Sequence, residues 1–77
     1  MDLRIITAEK EELNTMVSGV RCPGFLGEFE ILPGHTQFVS ILKAGDLHYF
    51  GPSAGKYSLK SGLLSVRDNK ITILVGG

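Results

Sequence analysis

Residues 56–75 decide the fold of this chain, and they read KYSLKSGLLSVRDNKITILV. Apolar and polar residues alternate at both ends of this stretch, and this period of two is typical of short strands with one buried face. We expect Tyr57 and Leu59 to point inward in KYSLK. The inward positions expected in KITILV are Ile71, Ile73 and Val75. Because KSGL and RDNK are rich in residues that tight turns require, the stretch predicts strands joined by turns.

The rest of the chain repeats this pattern. In DLRII, Leu3 and Ile5 share one face, and in EFEIL the inward residues are Phe29 and Ile31, with both glutamates outward. Further turn signals occur in RCPGFLGE, LPGH, KAGD and FGPSAGK. The segment TAEKEELNTMV has no apolar stripe at helical spacing, so we predict a turn leading into a strand. We therefore predict an all-β fold, a flattened antiparallel β-sandwich or barrel of short strands without substantial helix.

Length and composition limit the classes of protein that are possible. A chain of 77 residues is one small domain, residues 1–77. Its eight basic and eight acidic residues balance, so there is no basic surplus to drive binding to nucleic acid or to an anionic membrane. The single Cys22 cannot form an intramolecular disulfide, which favours a reducing compartment. No apolar run reaches the roughly 20 residues that span a bilayer, so we expect a soluble domain.

Two carboxylates and a histidine are the first candidates for chemistry. Glu28 and Glu30 are two residues apart, so a strand places both on one face, where paired carboxylates can do acid–base work. The same spacing is also simply the polar half of an alternating strand. Pro33 and Gly34 suit the central positions of a type II turn, which would hold His35 in a defined place. Without an evident pocket or nucleophile, we predict no catalytic residues.

The remaining candidates point to turns rather than to ligand sites. His48 and the scattered carboxylates lack a recognisable metal-ligand spacing, so we predict no metal site and no cofactor. Gly51, Gly55 and the pair Ser61 and Gly62 do not form a phosphate-binding pattern, and no helix follows them. We therefore interpret these glycines as hairpin turns. The residues alone favour a binding module over an enzyme.

The run GEFEILPGHTQFVSILKAGDL, residues 27–47, resembles the epsilon subunit of the rotary F-type ATP synthase, which is called delta in mitochondria. The N-terminal domain of that family carries the pattern G-E-x-G-x-x-P-G-H-x-P, with G-x-[LI] further on. The matching residues are Gly27, Glu28, Pro33, Gly34, His35, Gly45 and Leu47. LRIITAEKEEL resembles the opening strand and turn of the family, and residues 56–75 resemble its closing hairpin. The departures are Glu30 and Ser61, where the family usually has Gly, and Gln37, where it has Pro.

The resemblance implies a non-catalytic subunit of the central stalk, seated between the γ subunit and the membrane c-ring. Such a subunit supports assembly and the coupling of proton flow to ATP synthesis. It lies on the cytoplasmic face of the bacterial inner membrane, or on the matrix or stroma side in an organelle. By position, the residues facing the c-ring are Gly27, Glu28 and Phe29. Those facing γ are Thr7, His35 and Ser40.

The resemblance covers only the N-terminal domain of the family, because the C-terminal helical hairpin has no counterpart within the 77 residues. The chain is either cut at the domain boundary or a natural short form. If a parent chain carried the helices, their absence leaves apolar sandwich surface more exposed than in that parent, which favours self-association of the isolated domain.

Two other interpretations remain open from the sequence. An unrelated small β-sandwich could bind a peptide or a carbohydrate through its loops. A small acid–base enzyme could use Glu28, Glu30 and His35, and it would need a concave pocket around all three.

Overall fold

Strands account for the regular structure of this domain. The computed structural model describes residues 1–34 and 37–76, and these contain nine β-strands and no helix, so none that could cross a bilayer. The strands are β1 Asp2–Ile6, β2 Glu11–Met16, β3 Gly19–Gly24, β4 Gly27–Ile31, β5 Phe38–Leu42, β6 Gly45–Phe50, β7 Gly55–Leu59, β8 Ser61–Arg67 and β9 Lys70–Gly76. The predicted all-β fold is confirmed.

The strands form one curled sheet in the order β2-β1-β9-β8-β5-β3-β6-β7, with β4 paired to β3 beside this path. The curl brings the two ends of the sheet together through side chains. The hydroxyls of Thr15 and Ser53 are 2.6 Å apart, and the Tyr57 hydroxyl donates a long hydrogen bond of 3.5 Å to Glu12. The result is a flattened barrel whose last seam has side-chain hydrogen bonds in place of a backbone ladder.

One pair of strands departs from the antiparallel prediction. Within the described part of the chain every strand pair is antiparallel except β1 and β9, which run parallel with Leu3 opposite Ile71. A tight hairpin forces its two strands to be antiparallel, but β1 and β9 lie at opposite ends of the sequence and no hairpin joins them. Their relative direction therefore follows from the tertiary fold and not from a local turn.

The alternating residues form the core as predicted. The buried side chains are Leu3, Ile5, Val17, Val20, Cys22, Ile31, Leu42, Leu47, Leu59, Leu64, Val66, Ile71, Ile73 and Val75. Phe29 and Tyr57 are half-buried and pack against this cluster. Burial raises the pKa of the Cys22 thiol to about 12, because the apolar surroundings disfavour the thiolate. Cys22 therefore packs as a small apolar residue, and it is a free cysteine.

The prediction that RCPGFLGE forms a turn is wrong at both ends, because residues 21–24 belong to β3 and residues 27–28 belong to β4. Strand β3 runs through Cys22 and Pro23 to Gly24, and only Phe25 and Leu26 form the turn. Proline fits an extended strand because its fixed φ is compatible with that backbone, and the Pro23 carbonyl accepts a 3.0 Å hydrogen bond from the backbone N–H that follows β5. The composition of this segment predicts a turn, but its residues 22–24 pair with β4 and therefore form a strand.

Of the three glycines interpreted as hairpin turns, Gly51 lies in a loop, whereas Gly55 and Gly62 lie in strands. Gly51 lies in the loop between β6 and β7 with φ +129°, as predicted. Ser61 and Gly62 instead lie inside β8, where Gly62 is buried. Gly55 is the first residue of β7, and a Cβ there would overlap the Tyr49 side chain. The glycine at 55 thus permits close packing and does not make a turn.

Candidate docking surface

The β3–β4 hairpin builds one wall of the surface. Its last backbone pair is Gly24 with Gly27, and Phe25 and Leu26 form the tip. Gly27 takes φ +121°, which favours glycine, although a Cβ there would meet nothing within 4 Å. A Cβ at Gly24 would instead overlap the Phe29 ring and the Gly27 carbonyl. Gly27 is therefore needed for its backbone conformation, and Gly24 is needed because a side chain there would not fit.

An open groove of about 820 Å³ runs between this hairpin and β5. Its walls come from the tip, the start of β4, the first four residues of β5 and Leu63 of β8. Phe29 and Phe38 pack edge to face in the groove, with ring centroids 5.7 Å apart and planes at 73°. The groove is mainly apolar, and its polar lining residues are Glu28 on β4 and Ser40 on β5.

A row of apolar side chains extends from the groove across the outside of the sheet. Ile41, Leu63 and Leu74 lie directly opposite one another on β5, β8 and β9, and they are 62%, 44% and 47% exposed. Side chains paired in this way lie about 5 Å apart, so the three form one continuous surface, which we call the outer apolar row. Val39, 66% exposed, lies on the same face of β5. Contiguous exposed apolar surface of this kind marks interaction sites.

Sequence reasoning missed this outer apolar row. It assigned polar outward residues in EFEIL but assigned no outward residues in KITILV or SGLLSV. The signal was present in KITILV, where Leu74 is apolar on the outward side, and in the adjacent leucines of SGLLSV. Strands with apolar residues on both faces are typical of sheets covered on both sides.

The residues expected to face the c-ring lie on both faces of β4. Glu28 is exposed and, among the described residues, makes no hydrogen bond or ion pair through its side chain. Glu30 shares this exposed face, as predicted, but pairs with Arg21 at 3.5 Å. Phe29 points the opposite way and contributes its ring to the groove. The groove therefore contains Glu28 without Glu30.

The residues expected to face γ lie far apart in the fold. The Thr7 hydroxyl accepts hydrogen bonds from the backbone N–H groups of Glu9 and Lys10 at 3.2 and 3.1 Å, so it holds the turn into β2. This turn and the following strand were predicted. Ser40 is half-buried in the groove, and its hydroxyl donates at 3.4 Å to the Ile41 carbonyl. Strands β9 and β8 separate β1 from β5, which corresponds to roughly 14 Å at the usual strand spacing.

His35 lies outside the described residues. The turn before it is described: Gly34 has φ +86°, as the third residue of a type II turn requires. The Gly34 N–H donates at 3.3 Å to the side-chain carbonyl of Asn69 in the β8–β9 turn. Glu28 and Glu30 share a shallow depression with Arg21 and Phe29, and the acid–base alternative also needs His35, so it stays a hypothesis. No cluster of three or more metal-ligating side chains occurs in residues 1–34 and 37–76.

A polar surface lies away from the groove, on β6 and β7. Asp46 accepts a 2.6 Å hydrogen bond from the Ser58 hydroxyl and lies 3.9 Å from the Lys56 ammonium. The hydrogen bond from Ser58, and then the positive charge of Lys56, lower the pKa of Asp46 below its ordinary value. This carboxylate has partners within the chain, whereas Glu28 has none among residues 1–34 and 37–76.

Comparison with known proteins relates this chain to one family over its whole length. Residues 1–77 match the family described as ATP synthase, Delta/Epsilon chain, beta-sandwich domain. The ATP synthase epsilon chain of Nitratidesulfovibrio vulgaris (strain DP4) is 40% identical over 75 residues, which are 96% of this chain and 56% of the relative. The epsilon chain of Syntrophobacter fumaroxidans is 41% identical over 73 residues, 94% of this chain and 54% of the relative. The chain thus spans about half the length of these curated relatives.

Solved structures share the fold at lower sequence identity. A chain from the central stalk/c-ring structure of the Tetrahymena thermophila mitochondrial ATP synthase is similar with a TM-score of 0.82 and 19% identity, covering 99% of this chain and 63% of that one. A chain from the OSCP/F1/c-ring structure of the Euglena gracilis mitochondrial ATP synthase is similar with a TM-score of 0.85 and 22% identity. The match covers 95% of this chain and 48% of that one.

Proposed function

The chain belongs to the ATP synthase delta/epsilon-chain β-sandwich family, and from this membership we propose that it is a non-catalytic central-stalk subunit linking γ to the c-ring. In this role it supports assembly of the stalk and the coupling of proton flow to ATP synthesis, while other subunits carry out the catalysis. It contacts the membrane only through the complex. Its location is the cytoplasmic face of a bacterial inner membrane, or the matrix or stroma side in an organelle.

The observation that carries this proposal is the apolar surface formed by the groove and the outer apolar row. Ile41 and Leu63 belong to both, so the groove and the row are continuous. A domain of 77 residues buries only part of its apolar surface in its own core, and six of its exposed large apolar side chains lie in the groove or the outer apolar row: Phe25, Leu26, Val39, Ile41, Leu63 and Leu74. Such a surface suits a subunit that is covered by neighbours in a complex.

We assign the c-ring to the β4 side of the groove and γ to its β5 side, and γ also to the turn that contains Thr7, which lies outside the groove. The c-ring side comprises Gly27, Glu28 and Phe29. The γ side comprises Thr7, His35 and Ser40, with Val39 and Ile41 added because they present the exposed face of the same strand. Glu28 and Ser40 line one groove, so the two contacts meet there, as expected of a subunit at the junction of γ and the c-ring. Thr7 contributes through the turn it holds, because its hydroxyl is already hydrogen-bonded.

Removing the apolar side chains of β5 tests the proposal. Val39→Ser combined with Ile41→Ser should weaken binding to purified γ subunit at least about tenfold, because two well-exposed apolar contacts are lost from the centre of the interface. Titration calorimetry with purified γ measures the change, and the midpoint of urea unfolding checks that the fold is retained.

The matched control is Met16→Ser, since Met16 is 52% exposed but lies on β2, away from the groove. Its affinity for γ should equal that of the unmodified chain. Failure of the unmodified chain to bind either γ or a γ–c-ring rotor would contradict the proposed function and would favour an unrelated peptide- or carbohydrate-binding sandwich.

A further inference from the structure

The outer faces of β5, β8 and β9 form one patch without charge. The outer apolar row runs across its middle, and smaller side chains lie on both sides of the row. By alternation along the three strands, the outward positions of the patch are Val39, Ile41, Ser61, Leu63, Ser65, Thr72, Leu74 and Gly76. None of these residues carries a charge, so covering the patch removes no ion from water.

The register of the strands makes this patch complementary to itself. We consider two copies with these faces together and a two-fold axis that runs along the outer apolar row, in the plane between the two sheets. Each residue of the row then lies opposite its own copy, with Leu63 at the centre. The rows on either side exchange places, so Ser65 lies opposite Ser61 and Thr72 lies opposite Gly76. Large side chains therefore meet along the axis, and small ones meet beside it.

Charge does not keep two such copies apart. The chain has eight basic and eight acidic residues, so its net charge gives no long-range repulsion between copies. The paired cations Arg67 and Lys70 lie beyond the patch at one end of β8 and β9. The two-fold rotation carries the cations of the two copies to opposite ends of the dimer. Lys43, just after β5, comes opposite Val39, which its aliphatic stem can cover while the ammonium stays in water.

The size of the patch limits the strength of this pairing. With strands about 4.8 Å apart and alternate residues about 6.8 Å apart, the outward positions cover about 260 Å² of sheet. A standard stable interface buries about 800 Å² on each partner, so this patch is too small for a permanent dimer. We expect a weak dimer with a dissociation constant of about 10–100 µM.

We propose that the free domain binds a second copy of itself through this patch, as a weak two-fold dimer whose axis runs along the outer apolar row. The self-association expected from the sequence thereby gains a surface and a symmetry. This inference rests on the proposed function in one part, namely that Val39 and Ile41 contact γ. The dimer and the γ complex then use the same surface and exclude each other, so γ displaces the second copy during assembly.

Sedimentation equilibrium of the unmodified chain between about 5 and 500 µM measures the dimer. Leu63→Ser should weaken dimerisation at least about tenfold, because both copies lose the contact at the centre of the patch. Met16→Ser is the matched control, since Met16 is 52% exposed but lies on β2, and it should leave dimerisation unchanged. Leu74→Ser provides a second variant within the patch. Urea unfolding midpoints check that each variant retains the fold.

Crosslinking with a short bismaleimide tests the symmetry. Packed sheets lie about 10 Å apart, so the Cβ atoms of a residue on the axis lie about 7 Å from those of its copy, within reach of this reagent. Leu63→Cys and Leu74→Cys should each crosslink to themselves, whereas Met16→Cys should not. The native Cys22 does not interfere, because it is fully buried. An excess of purified γ should abolish both crosslinks.

Several results would overturn the inference. They are a chain that stays monomeric up to about 1 mM, a Leu63→Ser variant that dimerises like the unmodified chain, and a crosslink at residue 63 no faster than at residue 16. If Leu63→Ser lowers the unfolding midpoint, Leu74→Ser and the crosslinks decide. Binding to phosphatidylcholine vesicles that Leu63→Ser abolishes, without any dimer, would assign the patch to lipid and likewise overturn it.

The two proposals fail in distinguishable ways. A crosslink that persists when calorimetry shows γ to be saturating means that γ and the second copy use different surfaces, which overturns the inference while the proposed function stands. If γ does not bind at all, the proposed function fails, and sedimentation and crosslinking still decide whether the dimer exists.

Discussion

The β8–β9 hairpin turns through Asp68 and Asn69, whereas the β3–β4 hairpin turns through Phe25 and Leu26. In the first, both tip residues have positive φ, 50° and 61°, as in a type I′ turn. Aspartate and asparagine tolerate that conformation better than most side chains. In the second hairpin neither tip residue has positive φ, because Gly27 takes it instead at +121°. The residue with positive φ therefore lies just after the two tip residues of this hairpin.

The difference shows which positions the turn itself constrains. At residues 68 and 69 the backbone conformation favours aspartate and asparagine, and the Asn69 side chain also accepts a hydrogen bond from the Gly34 N–H. At Phe25 and Leu26 the backbone is permissive, so those side chains are open to selection for contact with a partner.

Placing the apolar pair on the wrong hairpin should have the largest effect. Asp68→Phe combined with Asn69→Leu should lower the free energy of unfolding by at least about 2–4 kcal/mol, because each bulky residue at positive φ costs about 1–2 kcal/mol and the hydrogen bond from Gly34 to Asn69 is also lost. Urea unfolding followed by circular dichroism measures the change. Asp68→Gly is the control and should be nearly neutral, since glycine accepts this φ. A neutral double variant would show that φ does not constrain this tip.

The two glycines of the β3–β4 hairpin should respond differently. Gly24→Ala should cost about 1–3 kcal/mol of unfolding free energy, because its Cβ would overlap the Phe29 ring and the Gly27 carbonyl. Gly27→Ala meets no atom within 4 Å and should cost only about 1 kcal/mol, through its positive φ. Urea unfolding of both variants gives the order. A Gly27 variant that is the less stable of the two would contradict this division between packing and conformation.

Removing the hydrogen bond that Asp46 accepts from Ser58 should have a smaller effect on the free energy of unfolding. The pKa of Asp46 is lower in the folded state, chiefly through the hydrogen bond from Ser58, so this carboxylate stabilises the fold above the ordinary aspartate pKa of about 4. That stabilisation is lost as the pH falls through the lowered value. Ser58→Ala should raise the folded-state pKa of Asp46, which a carboxyl NMR titration measures. An unchanged titration curve would show that Ser58 does not set it.

Local patterns account for much of the fold. A period of two depends only on neighbouring residues, so a single segment is enough to predict which side chains point inward. The inward positions predicted in DLRII, EFEIL, KYSLK and KITILV are buried or pack against the core. The parallel pairing of β1 with β9 could not be read in this way, because it joins the two ends of the sequence. The strand through Pro23 was missed because composition records turn-forming residues without recording which strand they pair with.

The candidate surface was only partly predictable for a similar reason. Glu28 was correctly expected on an exposed strand face, since alternation fixes which side of β4 it occupies. The outer apolar row depends on the register that places Ile41 opposite Leu63 and Leu63 opposite Leu74 across three strands. Such a register is a tertiary property that no single segment shows. The assignments of Thr7, His35 and Ser40 to γ stay predictions.

The position of β9 in the sheet has a mechanical consequence. This strand lies between β8 and β1, with seven residue pairs to the first and five to the second. Ladder hydrogen bonds run across the strands, so a pull along β9 shears both ladders at once and cannot open them one bond at a time. An outermost strand, such as β7, would resist the same pull with one ladder only. Tension that enters at the end of β9 is therefore spread through the centre of the sheet.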